Sequence, residues 1–419
     1  MDINNLLQGF ACDCGKFHTC NIDYVYIEEG AAAHLKEICK QYKNILLVAD
    51  ENTYRAAGDK TVNALSDKNI RTVLFSGAKI LVPNETAIAE VANSLETIDL
   101  IIGIGSGVIQ DLCKYVSFEN KLPYIIVATA PSMDGYASDG AAMITNGMKV
   151  TYKAGLPRAI IADTEVLANA PIDMLQAGYG DIIGKFSALN DWKLSHCVTN
   201  EYFCDRIYAL TYEQIKRTLA LSQGILKRDK ESIKALMEAL VIIGIMMSFA
   251  GSSRPASGSE HHLSHFFEIT GILDGTAYFS HGIDVAYSTV ITAQLRQRIL
   301  SGKFPTQRYH QTQEAYRQTM QSIYKSSAQG CIALQEKARH YATDRTAIYL
   351  EKEAEIREIL SEMPSEQELC QMLSLVGLDI CEFYQFYGNK RINDAIGYAK
   401  DLKDRYTVLW MHYDFYGET

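Results

Sequence analysis

The chain has 419 residues, 47% of them hydrophobic and 21% charged, which suits a folded protein of two domains with a sizeable core. Its net charge of −10 and pI near 5.5 exclude nucleic acid and anionic membrane as electrostatic partners. An anionic small molecule would therefore have to meet a local basic pocket.

Ten cysteines, with no basic or long apolar stretch in the opening MDINNLLQGFACDC, point to free thiols in a reducing, cytoplasmic setting. One cluster, Cys12, Cys14 and Cys20 with His18 in ACDCGKFHTC, has zinc-ligand chemistry. It lacks the paired CxxC knuckle, so zinc is conceivable there and an N-terminal turn or hairpin is the expectation. From Asn44 to Asp50, NILLVAD reads as a buried parallel strand. A helix over 52–66, a strand in IRTVLFSG, a helix over 85–95, a strand in LIIGIGSG, a helix over 108–118 and a strand in LPYIIVATA follow. That alternation implies an α/β Rossmann-like domain, a parallel sheet with helices on both faces, over residues 1–170.

Two loops at strand ends carry candidate chemistry. In GIGSGVIQD, Gly103, Gly105 and Gly107 sit where strand turns into helix, a place where the backbone approaches a phosphate and the helix N-terminus favours an anion. The spacing is not G-x-G-x-x-G. In ATAPSMDGYAS, the hydroxyls of Thr129, Ser132 and Ser138 suit a cofactor, and Asp134 suits a substrate. Asp50, ending its strand, suits either an adenosine ribose hydroxyl or a helix cap. Asn146-Gly147 is a hairpin signal, and Asp163 to Pro171 reads as the link to an all-α domain over residues 171–419. In that domain the apolar run Ala239 to Ala250 is about twelve residues, short of the ~20 that span a bilayer. It is expected to be a buried helix, with no membrane insertion. Residues 309–362 read as an amphipathic helical scaffold, and Ser365 to Glu368 form a capping box before a helix stopped at Gly377.

The densest chemistry lies in RPASGSEHHLSHFFEITGILDGTAYFSHGI. His261 and His265, four residues apart, share one helix face, while His262 points about 100° away. His281 follows at a Ser-His-Gly step, and Asp181 opens another helical stretch in AGYGDIIGKFSALNDW. Two neutral imidazoles and one carboxylate make a three-ligand set for a divalent ion with a position left for water or substrate.

Five motifs, GIGSGVIQDLCKY, ATAPSMDGYAS, GYGDIIGKFSALNDW, SGSEHHLSHFFE and SHGIDVAY, run in order from residue 103 to 287. Together they resemble the bacterial type of sn-glycerol-1-phosphate dehydrogenase. That family shares a superfamily, and the dehydroquinate synthase-like fold, with dehydroquinate synthase, glycerol dehydrogenase and the iron-containing alcohol dehydrogenases. The resemblance implies Asp181, His261 and His281 as ligands of one divalent metal, zinc, nickel or iron. Gly105, Gly107, Val108, Ile109, Gln110, Asp111, Thr129, Ser132 and Ser138 match positions around NAD(H) or NADP(H), and Asp50 the acid near the ribose. Asp134 and His265 match substrate contacts and candidate proton relays. The iron alcohol dehydrogenases carry a histidine one turn after the metal aspartate. Here that position is Lys185, which argues for three protein ligands and, with Arg254, supplies the pair of cations beside the metal that a phosphorylated substrate would require. Arg254 stands at an offset where dehydroquinate synthases place a basic contact to the substrate phosphate. The implied reaction is reduction of dihydroxyacetone phosphate to sn-glycerol 1-phosphate in the cleft between two domains, by a homodimer. The alternatives are a polyol dehydrogenase on an unphosphorylated substrate, or a lyase like dehydroquinate synthase that uses NAD catalytically. Asp50 leans toward NADH.

Overall fold

The computed structural model describes residues 2–145 and 148–417. Two compact units emerge, one of residues 1–179 and 216–251, the other of 180–215 and 252–419. The expected boundary at 170 thus becomes two crossings. The stretch 216–251, expected in the helical domain, packs with the first unit.

The first unit opens on a small hairpin, β1 (Phe10–Ala11) against β2 (Phe17–His18). Next come β3 (Tyr24–Glu28), β4 (Asn44–Asp50), β5 (Asn69–Phe75), β6 (Leu100–Gly105) and β7 (Tyr124–Ala128). An antiparallel ribbon, β8 (Gly140–Thr145) with β9 (Met148–Lys153), precedes β10 (Ala159–Asp163). The main sheet is six-stranded in the order β3-β10-β7-β6-β4-β5, and its pairings are all parallel. Alternation along β4 explains why helices cover both faces. Ile45, Leu47 and Ala49 join one core with Ile102 and Ile125, while Leu46 and Val48 join another with Val73, Ile109 and Leu112. Each fully buried aliphatic side chain contributes about 1.5–3 kcal/mol, so neither face tolerates solvent.

The ribbon pairs Thr145 with Met148, and the Asn146-Gly147 hairpin signal between them lies outside the described residues. The stretch read as a link, Asp163 to Pro171, contains a short helix, Thr164–Ala168, capped by Asp163. The apolar run belongs to a longer helix, Lys230–Ala250. By length and composition that helix could cross a membrane, but 83% of its apolar window is buried inside the protein, the situation of a core helix.

The second unit is helical. It holds the C-terminal part of the long helix Ile172–Thr199, then Ser259–Asp274, His281–Ser301 and the final helix Val408–Tyr416. Leu194, Ile299, Tyr349, Trp410 and Met411 share one core, which ties the last helix to the long one. The Ser365–Glu368 capping box forms as expected, and Gly377 adopts φ 77° behind it. Its amide donates to the Ser374 carbonyl and that of Leu378 to Leu373, so the helix ends in the left-handed turn that glycine accepts without strain.

Candidate metal and nucleotide sites

In the second unit, packing brings the histidine stretch to Asp181. The long helix carries Gly180 and Gly184 on either side of Asp181, facing the helix that starts at His281. A Cβ on Gly180 would lie 2.4 Å from the Gly282 carbonyl oxygen, and one on Gly184 would lie 2.5 Å from Val285 Cγ1. Only glycine allows that approach, and the approach sets His281 beside Asp181. Asp191, ten residues along the same helix, ties in the others. It accepts from the Ser259 amide (2.6 Å), Arg296 Nη2 (2.8 Å) and the Val408 amide (2.8 Å). One buried carboxylate thereby fixes the start of the His261 helix, the later part of the His281 helix and the start of the last helix.

The ligand atoms of Asp181, His261 and His281 all lie within 4.8 Å of one another. Glu260 Oε1 stands 2.7 Å from His261 Nδ1, leaving Nε2 to face Asp181 Oδ1 at 3.5 Å. A carboxylate behind the distal nitrogen fixes the tautomer and raises the basicity of the ligating nitrogen. Burial, then the nearby Lys185, hold the His261 imidazole well below its usual pKa, so its lone pair is available. Burial and the neighbouring Asp191 push the Glu260 carboxyl up to about 7. Two imidazole nitrogens and a carboxylate oxygen at this spacing fit a divalent ion.

Lys185 is fully buried. Its Nζ donates to Asp181 Oδ1 at 2.6 Å and to the Ala256 carbonyl at 3.0 Å. His265 is half-buried, its ring 5.6 Å from that of His281 and 6.1 Å from that of His261. His262 is fully buried and is not a member of the group. Arg254 is placed differently from its expected role. It is 3% exposed and pairs with Glu201 through Nε (2.8 Å) and Nη2. It also donates to the Tyr406 carbonyl (3.0 Å) and Ser195 Oγ (3.1 Å). With all three nitrogens committed to protein oxygens, its guanidinium acts as an internal strut. A different cation stands near the histidines. Lys403, whose Nζ is 3.2 Å from Ser257 Oγ, is close enough for its charge to depress His261, and Arg405 Nη1 reaches the Ser257 carbonyl at 3.3 Å.

In the first unit, a cavity of about 800 Å³ opens at the C-terminal ends of the central strands, lined among others by Asp50, Ser106, Val108, Ile109 and Thr129. That end of a parallel sheet is where nucleotides bind. Asp50 caps the helix that follows its strand. Its Oδ1 accepts from the amides of Asn52 (2.8 Å) and Thr53 (2.9 Å) in a capping box, and the residue also lines the cavity. The glycines divide the labour. A Cβ on Gly103 would lie 2.9 Å from Cys113 Sγ and one on Gly105 2.6 Å from Ile109 Cβ, so these two let the following helix pack on the sheet. A Cβ on Gly107, first residue of that helix, would meet Met133 at 3.8 Å, ordinary van der Waals contact, so this position is less crowded than the other two.

Two expected cofactor residues turn inward. Gln110 donates to Tyr124 Oη (3.2 Å) and the Tyr136 carbonyl (3.1 Å), and Asp111 accepts from the Ala142 amide (3.0 Å). Ser132 Oγ pairs with Ser106 Oγ at 3.1 Å, Ser138 Oγ donates to the Gly135 carbonyl, and Asp134 precedes the 3-10 turn Gly135–Ala137. Sequence reasoning missed Lys114, fully buried, whose Nζ donates to the carbonyls of Gly135 (3.0 Å) and Gly140 (2.7 Å) and so shapes this loop.

Residues 26–171 match the family model of iron-containing alcohol dehydrogenase. The NAD(P)+ glycerol-1-phosphate dehydrogenase of Geobacillus thermodenitrificans is 37% identical over 278 residues, 64% of this chain and 67% of that one. Its counterpart from Halalkalibacterium halodurans is 33% identical over 303 residues, 70% and 76% of the two chains. A solved structure of a probable glycerol dehydrogenase from Sinorhizobium meliloti superposes with a TM-score of 0.59 at 18% identity, covering 92% of this chain and 89% of that one, which establishes the shared fold.

Proposed function

Since the chain belongs to the glycerol-1-phosphate dehydrogenase family, within the superfamily of iron-containing alcohol dehydrogenases, we propose that it reduces dihydroxyacetone phosphate to sn-glycerol 1-phosphate with NAD(P)H. The observation that carries this reading is the convergence of Asp181, His261 and His281 within 4.8 Å from three separate helices. These three residues would hold a divalent ion, with Glu260 orienting His261. When bound, the metal lends Lewis acidity to the C2 ketone and the dihydronicotinamide lends the hydride.

The chain's own residues do the rest. Lys185 offsets the Asp181 charge and keeps the site electropositive for an anionic substrate. Lys403, rather than Arg254, is the better-supported second cation for the phosphate, since Arg254 is bound to Glu201. His265, one helical turn after His261, passes the proton that the C2 alkoxide takes up, with Asp134 as the other candidate. On the cofactor side, Gly107 and Ser106 present a helix N-terminus to the pyrophosphate, and Asp50 faces the ribose.

The cations distinguish this reading from a polyol dehydrogenase, whose uncharged substrate needs neither. The test is the reverse reaction, NAD+ reduction with sn-glycerol 1-phosphate, sn-glycerol 3-phosphate and glycerol in turn. Turnover confined to the first supports the proposal, and turnover with glycerol alone overturns it.

A further inference from the structure

We propose that Cys12, Cys14 and His18 are among the ligands of a second, structural zinc ion that staples the N-terminal hairpin to the first unit. Their candidate ligand atoms lie within 4.8 Å of one another. Cys14 Sγ stands 3.3 Å from His18 Nε2. Zinc–sulfur and zinc–nitrogen bonds of about 2.3 and 2.0–2.1 Å at a tetrahedral angle put two such ligands roughly 3.6 Å apart, close to that spacing.

The imidazole is already set for ligation. His18 is 1% exposed, and its Nδ1 lies 3.0 Å from the Phe249 carbonyl, at the end of the helix Lys230–Ala250. A carbonyl accepts only from N–H, so Nδ1 carries the proton and the Nε2 lone pair points at the thiols. The rings of Phe249 and Phe10 flank His18 at 5.6 and 5.3 Å and hold its plane. The thiols are presented by a tight turn. The Gly15 amide donates to the Cys12 carbonyl (3.0 Å), the Cys12 amide to Lys16 (3.0 Å), and Gly15 takes φ 83°, where a side chain would be strained.

The local fold gives the ion a purpose. β1 and β2 have two residues each, and a two-stranded hairpin of that size is marginal alone in water. A zinc–thiolate centre supplies folding free energy to such a segment, and through His18 it ties the hairpin to the core helix. Cys20 takes no part. It is buried outside the group, and burial pushes its thiol up to about 11.

The test is the zinc content of the full-length protein purified under reducing conditions, wild type against Cys12→Ser/Cys14→Ser. The double variant is expected to carry about one zinc fewer per chain and to keep its metal-dependent turnover; equal zinc in the two proteins overturns the proposal. Should the variant fail to fold, cobalt-substituted wild type decides. Thiolate ligands give intense sulfur-to-cobalt charge-transfer absorption in the near ultraviolet, which the Asp181–His261–His281 set cannot give. Absence of that absorption means that Cys14 and His18 share only a hydrogen bond.

Discussion

Lys185 Nζ lies 2.6 Å from Asp181 Oδ1, with both side chains fully buried and four residues apart on one helix. Without metal, the lysine is the cation that offsets the aspartate. Removing one partner of a buried pair costs about 3–5 kcal/mol. Lys185→Met is therefore expected to lower the thermal midpoint of metal-free protein sharply and to be largely rescued by zinc, which then supplies the positive charge. Thermal scans with and without the ion check this, and equal losses in both states would show the lysine serving packing alone.

Glu260 stands directly behind His261. Replacing such a partner typically weakens metal affinity by about 10–100-fold. Glu260→Gln keeps an acceptor for the Gly258 amide, which now donates to Oε1 at 2.8 Å, so the fold should hold. Competition against a chromogenic chelator reads the change. Unaltered affinity would deny Glu260 its orienting role.

Asp50 both caps a helix and lines the nucleotide cavity. Asparagine caps as well as aspartate but carries no charge. Asp50→Asn should thus leave stability unchanged while shifting the kcat/KM ratio toward NADPH, because the repulsion of a 2′-phosphate is gone. An unchanged ratio would place the ribose elsewhere.

Acid should destabilise the second unit through His340 and His412. Burial, then Arg345, hold His340 down at about 4, while burial, then Arg298, hold His412 down at about 3. In the unfolded chain both titrate near 6.5. Between these values the unfolded chain binds protons that the folded one refuses, so stability is full above about pH 6.5 and falls as pH drops toward 4. For His340 alone the loss is about 3 kcal/mol once pH falls below 4, of which about 2 kcal/mol comes between pH 7 and pH 5. Urea midpoints near pH 7 and pH 5 measure it, and His340→Gln should flatten the slope.

The parallel sheet was legible because buried strands such as NILLVAD and LIIGIG are continuous apolar runs punctuated by helices. The convergence of Asp181, His261 and His281 was legible from the family motifs around them. What escaped depends on packing over long separations. Nothing local in 216–251 says that it returns to the first unit. Arg254 looked like a phosphate ligand because its partners Glu201 and Tyr406 stand 53 and 152 residues away. Lys403 and Arg405 sit in a stretch with no motif, and only the fold brings them to Ser257. Gly105 shows the same limit. Spacing marks a glycine, but whether it admits a phosphate or a neighbouring helix depends on where Ile109 lies.

The most direct test of the central claim is NADH oxidation with dihydroxyacetone phosphate against unphosphorylated dihydroxyacetone. The protein is stripped of metal and refilled separately with zinc, nickel or iron. The expected result is a strong preference for the phosphorylated ketone, lost on stripping and restored by at least one ion. Equal rates with the two ketones would contradict it, making the enzyme a polyol dehydrogenase in which Lys185 and Lys403 have no part in phosphate recognition.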